Sequence, residues 1–193
     1  MASAVSHNPK DLRVIKTRQL ILDSFINLLG KKDFMSITVS DITRIALINR
    51  ATFYAHFPDK YGLLKALLSD AFMNYVDRRV PNDAKLTEET IKQLVIALCD
   101  YHEESSRQCV KNYESVAPLV EKNIISELEE FVFLLLSRTC QSENSGRLER
   151  AATVISWSIY GSAYRWYLNG KKETPAELSN DIAPLFASWI VYA

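Results

Sequence analysis

The sequence predicts an all-α protein of about nine helices, in which a small N-terminal helical domain precedes a larger helical bundle. Apolar residues recur at helical spacing along most of the 193 residues, and the hydrophobic content of 48% suffices for a buried core. Helix start signals such as Thr-Pro-Ala-Glu at 174–177 separate these stretches. The sequence contains no convincing strand pattern, no glycine-rich phosphate loop and no internal repeat. An all-helical bundle is the fold class that fits.

The first third of the chain predicts an arm and three helices. We expect a flexible arm over residues 1–11, then a long helix over about residues 10–30 with Gly30 at its end. Thr38 stands before the second helical pattern as a candidate N-cap, with Asp41 three residues later. Residues 46–49 break that pattern, and Asn49 is a good N-cap for a short third helix over residues 50–56.

The remaining helices are longer and more apolar. Apolar spacing and breaks place them over about residues 60–79, from 87 past 102, weakly over 106–112, then over 118–140, 146–169 and from 175 onwards. Pro118 suits the first position of its helix. Pro184 lies inside the final pattern and predicts a kink or break near residues 180–183.

Charge is distributed unevenly, although the net charge of the chain is zero. Residues 1–66 hold ten Lys or Arg against five Asp, and the rest holds 13 basic and 18 acidic residues. A basic N-terminal third on an acidic body is typical of a nucleic-acid-binding module attached to a different body. The alternative is a chance imbalance. Arg13, Lys16 and Arg18 in the first helix either reach phosphates or form an ordinary solvated face.

The most specific motif follows the third predicted helix start. Residues 52–60 read TFYAHFPDK, which contains Tyr-x-His-Phe and then Lys. Through this ending and the two preceding helical patterns, residues 12–68 resemble the DNA-binding domain of the TetR family of transcriptional regulators. The resemblance implies a helix-turn-helix over residues 38–57 within a domain over residues 12–68. Residues 69–193 would then form a domain for regulation and dimerisation.

The resemblance also implies which side chains contact DNA. The residues at the start of the third helix are expected to reach base edges, and those near its end are expected to hold phosphates. The predicted DNA-contacting residues are Thr38, Asn49, Arg50, Ala51, Thr52, Tyr54, His56 and Lys60. The alternative is a surface helix with ordinary polar residues. The family usually has Gly in the turn where this chain has Leu47, and a left-handed backbone there would cost about 1 kcal/mol.

The C-terminal part is rich in aromatic residues that suit an apolar cavity with a few polar tips. The candidate ligand-binding residues are Tyr75, His102, Tyr113, Trp157, Tyr160 and Tyr164. The alternative for each is core packing or a subunit interface. We expect a small-molecule effector that is uncharged or hydrophobic. Cys99, His102 and Cys109 lack a second ligand pair, so we expect no metal site, and no cofactor is expected.

The last two helices predict a homodimer. Residues 151–166 are apolar on more sides than one chain can easily cover, and residues 178–189 add a second apolar stripe. The candidate interface residues are Ile155, Ile159, Trp166, Leu185, Phe186 and Trp189. Two copies related by a two-fold axis would match a near-palindromic DNA operator.

The sequence thus predicts a cytoplasmic, ligand-responsive transcriptional regulator rather than an enzyme or a membrane protein. The longest apolar run, at 131–136, is far shorter than the roughly 20 residues that span a bilayer. No Gly-x-Ser-x-Gly motif or other hydrolase pattern is present. We expect a repressor released from double-stranded DNA by its effector. Two alternatives remain: a related DNA-binding protein regulated by a protein partner, or a helical carrier or enzyme that has lost DNA binding.

Overall fold

A computed structural model describes residues 12–108, 113–140 and 143–186, with side chains given for 12–104, 118–140 and 143–186. The predicted arm over residues 1–11 lies outside the described residues. In the described part the fold is all-helical, with eight α-helices and two 3-10 turns. The helices are α1 (Leu12–Leu29), α2 (Val39–Ile45), α3 (Arg50–His56), α4 (Lys60–Asp77), α5 (Glu88–Gln108), α6 (Tyr113–Thr139), α7 (Ser145–Leu168) and α8 (Pro175–Ile182), and the 3-10 turns are Phe34–Ser36 and Ala183–Phe186.

The chain divides into two compact units. The first is Met1–Leu67 with Lys111–Val116, and the second is Leu68–Val110 with Ala117–Ala193. Helix α4 is continuous across the division between Leu67 and Leu68. Within the described residues, no helix is both long and apolar enough to cross a membrane.

Buried aromatic side chains hold the first unit together. Phe34, in the 3-10 turn between α1 and α2, packs edge to face on Phe25 of α1 and Tyr61 of α4, with ring centroids 6.3 and 5.2 Å apart. Phe53 of α3 is fully buried, and its centroid lies 6.0 Å from that of Phe57. Such contacts bury large apolar areas and fix ring orientations. Helix α3 therefore packs against the rest of this unit through its buried side, which carries Phe53.

Side-chain caps begin the two helices of the helix-turn-helix, as the sequence predicts. The Thr38 hydroxyl accepts a bond from the Asp41 backbone N–H at 3.2 Å, while the Asp41 carboxylate accepts one from the Thr38 backbone N–H at 3.1 Å. Asn49 Oδ1 accepts bonds from the Thr52 backbone N–H and hydroxyl at 2.7 and 2.9 Å. These bonds satisfy backbone donors that a helix start leaves unpaired.

The turn between α2 and α3 is a Schellman motif with a leucine at its left-handed position. Leu47 has φ of 52°, and the Ile48 backbone N–H donates to the Thr43 carbonyl at 3.1 Å. The same motif ends α7, where Gly170 takes the positive φ and the Lys171 N–H donates to the Trp166 carbonyl at 3.1 Å. The left-handed backbone that the family's glycine implies is therefore present, but here it carries a side chain.

In the second unit, α5 packs against both α7 and α8. The α4–α5 connection is fastened to α6, because the Leu86 backbone N–H donates to Thr139 Oγ1 at 2.9 Å and Arg138 donates to the Ala84 carbonyl at 3.2 Å. An ion pair between Arg79 and Asp100 joins this connection to α5. The Trp166 indole N–H donates to the Glu173 carbonyl at 2.8 Å and fixes the loop before α8.

Two predicted helix boundaries are wrong and two are confirmed. Helix α6 begins at Tyr113, five residues before Pro118, so Pro118 lies inside the helix. Pro118 is the sixth residue of α6, beyond the four backbone donors that a helix start leaves unpaired, so it costs the helix one internal hydrogen bond. Residues 106–108 continue α5 instead of forming a separate short helix. The Thr174 capping box and the change from α-helix to 3-10 turn before Pro184 are both confirmed.

We expect Leu47→Gly to stabilise the first unit by up to about 1 kcal/mol, because a glycine adopts positive φ without the Cβ penalty. The Leu47 side chain is 91% exposed, so little packing is lost. Leu47→Ala is the matched control and should bring no gain, since alanine keeps the Cβ. Far-UV circular dichroism melting measures the change. A glycine variant that is less stable than wild type would contradict the strain argument.

Candidate nucleic-acid interface and effector region

Helix α3 has a polar, exposed side opposite the buried side that carries Phe53. Phe53 is buried, whereas Asn49, Arg50, Ala51 and Tyr54 are exposed. Thr52 and His56 are half-buried. The Asn49 cap engages only the amide oxygen, so the amide nitrogen retains its donors on the exposed side. The structure therefore brings the predicted base-reading residues together at the first turn of α3.

Arg50 lies against α2 in this structure. Its guanidinium donates to the Ser40 hydroxyl at the start of α2. A guanidinium has five donors in a fixed fork, so this bond leaves others for a second acceptor. The bond links the starts of the two helices. When Arg50 contacts a base, its guanidinium can either retain the bond to Ser40 or give it up for a bond to the base.

Thr38 is occupied by its capping role. Its hydroxyl donates to the Asp41 carboxylate at 2.9 Å and accepts from the Asp41 backbone N–H. Hydrogen bonds from the Thr38 side chain and backbone hold the pKa of Asp41 below its usual value. Since the only hydroxyl hydrogen of Thr38 is already used, a contact from this hydroxyl to a phosphate would break the box. The structure favours a positioning role for Thr38.

The contacts of Lys60 favour a structural role over the predicted phosphate contact. The ammonium Nζ donates to the backbone carbonyls of Phe34, Met35 and Ile37 at 3.0, 2.9 and 2.9 Å. It also lies 4.8 Å from the centroid of the Phe34 ring, close enough for a cation–π interaction. An ammonium has three donors, and all three are engaged. Lys60 therefore fastens the start of α4 to the segment that leads into α2, a contact between distant residues that sequence spacing does not reveal.

Tyr54 and His56 lie towards the end of α3. Tyr54 is 54% exposed, with its ring edge on Phe53 at a centroid distance of 5.5 Å. The half-buried His56 ring lies 6.3 Å from that of Phe57, and Arg18 of α1 lies 5.7 Å from the Phe57 ring centroid. Arg18 of α1 thus adds a positive charge near the end of α3 that carries Tyr54 and His56.

An aromatic cluster in the second unit surrounds His102 of α5. Its imidazole centroid lies 5.6, 5.5 and 6.0 Å from the rings of Tyr160, Tyr164 and Tyr167 on α7. Tyr101 lies 5.9 Å from His102 and also 5.9 Å from Tyr75 of α4. We call these six residues, Tyr75, Tyr101, His102, Tyr160, Tyr164 and Tyr167, the aromatic cluster.

His102 is a buried neutral imidazole. Desolvation by burial lowers its pKa to about 4, and its Nε2 atom is buried with no hydrogen-bond partner in the described part of the chain. A buried polar atom without a partner costs free energy, so most proteins keep few of them. The His102 ring is therefore the group of this cluster best suited to hydrogen bonding with a bound molecule.

The sequence identified four members of the cluster and missed two. Tyr75, His102, Tyr160 and Tyr164 meet as expected of ligand candidates, while Tyr101 and Tyr167 were not identified. Tyr167 could have been found, since 160, 164 and 167 follow helical spacing. Trp157 precedes Tyr160 by about one helical turn but is 52% exposed, which sets it apart from the buried part of this cluster. The side chain of Tyr113 lies outside the described ones.

The cysteines in the described residues belong to the core. Cys99 and Cys140 are both buried free thiols. Burial raises the pKa of Cys99 to about 12, and it also raises the pKa of Cys140. A thiolate, the form that binds metals and reacts with electrophiles, is therefore strongly disfavoured at Cys99. Cys109 lies outside the described residues.

Most of the predicted dimer-interface residues belong to the core of the chain itself. Ile155, Ile159 and Trp166 are buried on the side of α7 that bears Ala152 and Ala163, and Phe186 is also buried. These residues cannot provide an exposed interface in this structure. Leu185 is 67% exposed, and Trp189 lies outside the described residues. The correction follows from α5, which covers one apolar side of α7, so the exposed apolar residues are on another side.

That other side of α7 carries Val154, Trp157 and Leu168. All three are exposed, and their spacing places them along one side of the helix over about 21 Å. We call these three residues the α7 face. Exposed apolar residues that line one side of a helix are typical of an interaction surface.

Comparisons with known proteins agree with this geometry. Residues 21–67 match the family profile for bacterial regulatory proteins of the tetR family. The chain is 38% identical over 93 residues to YxbF, an uncharacterized HTH-type transcriptional regulator of Bacillus subtilis (strain 168), covering 46% of this chain and 24% of that protein. It is 26% identical over 115 residues to the regulator YvkB of the same strain, covering 60% and 59%. The chain thus spans about a quarter and about three fifths of these two relatives.

The whole fold is similar to that of solved proteins. The crystal structure of the TetR family repressor AlkX from Dietzia sp. strain DQ12-45-1b, implicated in biodegradation of n-alkanes, aligns with a TM-score of 0.58 at 18% identity. The alignment covers 97% of this chain and 99% of that one, which establishes a shared fold. The chain thus carries, over residues 21–67, a segment that matches the tetR family profile, and its fold is that of a solved TetR family repressor.

Proposed function

We propose that this chain is a repressor that binds a near-palindromic DNA operator as a homodimer and is released by a small molecule. Residues 12–68 would read DNA, and residues 69–193 would bind the effector and the second copy. The observation that carries the proposal is the capped helix α3, which buries Phe53 and exposes Asn49, Arg50, Ala51 and Tyr54. Such a helix fits a major groove, where donors at its N-terminal end reach base edges.

The DNA contacts divide into base reading and phosphate binding. Asn49, Arg50, Ala51 and Thr52 would face base edges at the first turn of α3. Tyr54 and His56 would hold phosphates, as the resemblance implies. Thr38 and Lys60 would contribute by positioning α2 and α3, since their own donors are engaged within the protein.

A second copy of this chain would cover the α7 face. Val154, Trp157 and Leu168 offer an apolar stripe that a two-fold axis could pair with itself. A homodimer would present two α3 helices to half-sites about one turn of DNA, roughly 34 Å, apart. Cytoplasmic location follows from such a role and is part of the proposal.

The effector would contact the aromatic cluster. His102 supplies a buried nitrogen without a partner, and Tyr75 connects the cluster to α4, which continues into the first unit. Effector binding can shift the protein between two conformers only if it binds one of them more tightly. Because α4 belongs to both units, a change in its packing at Tyr75 is the proposed route to α3.

The alternative of a carrier or enzyme that has lost DNA binding draws no support from Leu47, because the turn keeps its Schellman bond. Regulation by a protein partner remains the second candidate. It would be favoured if calorimetric screening finds no ligand while operator binding is intact.

Arg50→Ala should reduce sequence preference by about 1–3 kcal/mol if the guanidinium makes a bidentate base contact. The measurement is fluorescence anisotropy with an operator selected from random DNA, compared with unrelated DNA. Arg147→Ala is the control, since it removes the same charge from an exposed pair with Glu143. Equal preference in wild type and Arg50→Ala would contradict the base-reading role.

Lys60→Met should destabilise the first unit by at least about 2 kcal/mol, because three backbone carbonyls lose a charged donor. Circular dichroism should show the loss, while tryptophan fluorescence should report an unchanged second unit, because all three Trp lie beyond residue 156. The exposed Lys65→Met, on the same helix, should change neither.

Salt dependence separates the two roles of Lys60. A lost phosphate contact would flatten the slope of log affinity against log salt by about 0.9, whereas a lost structural contact leaves the slope of the folded protein unchanged. We expect the unchanged slope. A flatter slope with wild-type stability would restore the phosphate role.

Trp157→Glu should shift the protein from dimer to monomer, because a charge placed within an apolar interface loses its hydration. Sedimentation velocity at micromolar concentration measures the change. Leu119→Glu on α6 is the control, since this residue is also exposed but lies away from the α7 face. A wild-type monomer of about 22 kDa would refute the homodimer.

A further inference from the structure

A polar network inside the second unit joins α4 to α6. Asn123 Nδ2 donates to the Ser69 hydroxyl oxygen at 3.1 Å, and the Ser69 hydroxyl donates to Glu127 Oε1 at 2.7 Å. Asn123 is buried, whereas Ser69 and Glu127 are half-buried. The network therefore runs from near the surface into the interior along one side of α6, where residues 123 and 127 are one turn apart.

Counting hydrogens fixes the orientation of the Asn123 amide. The Ser69 hydroxyl has a single hydrogen, and the Glu127 carboxylate receives it. The bond between Asn123 and Ser69 therefore requires a hydrogen from the amide nitrogen, so the amide oxygen points elsewhere. Asn123 Oδ1 is buried with no hydrogen-bond partner among the described residues. An unpaired buried acceptor is costly, so natural proteins keep few.

The acceptors of this network define the chemistry of a ligand. Asn123 Oδ1, the Glu127 carboxylate and a lone pair of Ser69 can each receive a hydrogen bond. An ammonium has three donors and no acceptor, so it matches this set, and its charge is opposite to that of Glu127. A carboxylate or phosphate would be repelled. Apolar side chains flank the network in sequence, among them Val120, Ile124 and Leu128 on α6 and Phe72 on α4, all buried.

We propose that Ser69, Asn123 and Glu127 form the binding site for a protonated primary amine, the polar end of an otherwise apolar effector. This deepens the proposed function, on which its regulatory part rests. The effector is then an amphipathic amine instead of an uncharged molecule. An ammonium at Glu127 competes with the Ser69 hydroxyl and loosens α4 at a residue that lies just beyond the division between the two units.

Isothermal titration calorimetry with hexylamine, 1-hexanol and hexanoate tests the site on the full chain without DNA. Hexylamine should bind at least about tenfold more tightly than 1-hexanol, the gain expected of a charge-assisted hydrogen bond, and hexanoate should bind most weakly. Equal binding of the three probes, or no binding of hexylamine, overturns the proposal. Hexanol that binds as tightly as hexylamine overturns the assignment of a cation.

Variants of the network identify the residues. Glu127→Gln should weaken hexylamine binding by about tenfold, while Glu130→Gln, an exposed control on the same helix, should not. Asn123→Leu should weaken hexylamine binding. It removes both an unpaired buried oxygen and the bond from Nδ2 to Ser69, two opposing effects, so the melting temperature of the free protein should change little. Unchanged binding in Glu127→Gln overturns the site.

The coupling between amine binding and operator binding is measured separately from amine binding itself. Operator binding without amine tests the proposed function, and release of the operator by hexylamine tests the coupling through α4. If hexylamine binds through Glu127 and the operator stays bound, the regulatory part of the proposal is overturned while the amine site stands.

Discussion

The three hydrogen bonds from Lys60 to the carbonyls of Phe34, Met35 and Ile37 fix the segment on which the first unit depends. That segment ends one residue before the Thr38 cap, so it sets where α2 begins. Helix α2 in turn sets α3 through the Schellman turn and the bond between Arg50 and Ser40. Close packing around Phe34 and Phe53 then leaves α3 little freedom. Lys60, a cation that could also bind a DNA phosphate, thus fixes the position of α3, the helix proposed to read DNA.

Local features were predictable from the sequence because their causes are local. A cap needs one polar side chain and a donor three residues away, so Thr38, Asn49 and Thr174 could each be assigned from spacing alone. The break before Pro184 follows from the missing backbone donor in the same way. The all-helical fold follows from periodicity, which depends only on the spacing of apolar residues.

Features that depend on packing partners were not predictable. The sequence shows that α7 is apolar on more than one side, but it does not show which side α5 covers. The pattern therefore predicts interface positions for Ile155, Ile159 and Trp166, which are buried in the chain, and a cavity position for Trp157, which is 52% exposed. Pro118 does not mark the first turn of α6, because the helix begins five residues earlier and accepts the missing backbone donor in its second turn. Lys60 matched a family motif, and its partners lie more than 20 residues away in sequence.

The two units differ in how completely they satisfy their buried polar groups. In the described residues, the buried side-chain atoms without partners are His102 Nε2, Asn123 Oδ1 and Ser156 Oγ, and all three belong to the second unit. Among the described residues of the first unit, the Thr38 and Asn49 caps and the Lys60 ammonium all have hydrogen-bond partners, which suits the rigid surface proposed for DNA recognition. Each unpaired buried polar atom raises the free energy of the packing arrangement in which it occurs, compared with an arrangement in which it is hydrogen-bonded. If a second arrangement paired these atoms, less binding free energy would be needed to reach it, which suits the regulatory role proposed for residues 69–193.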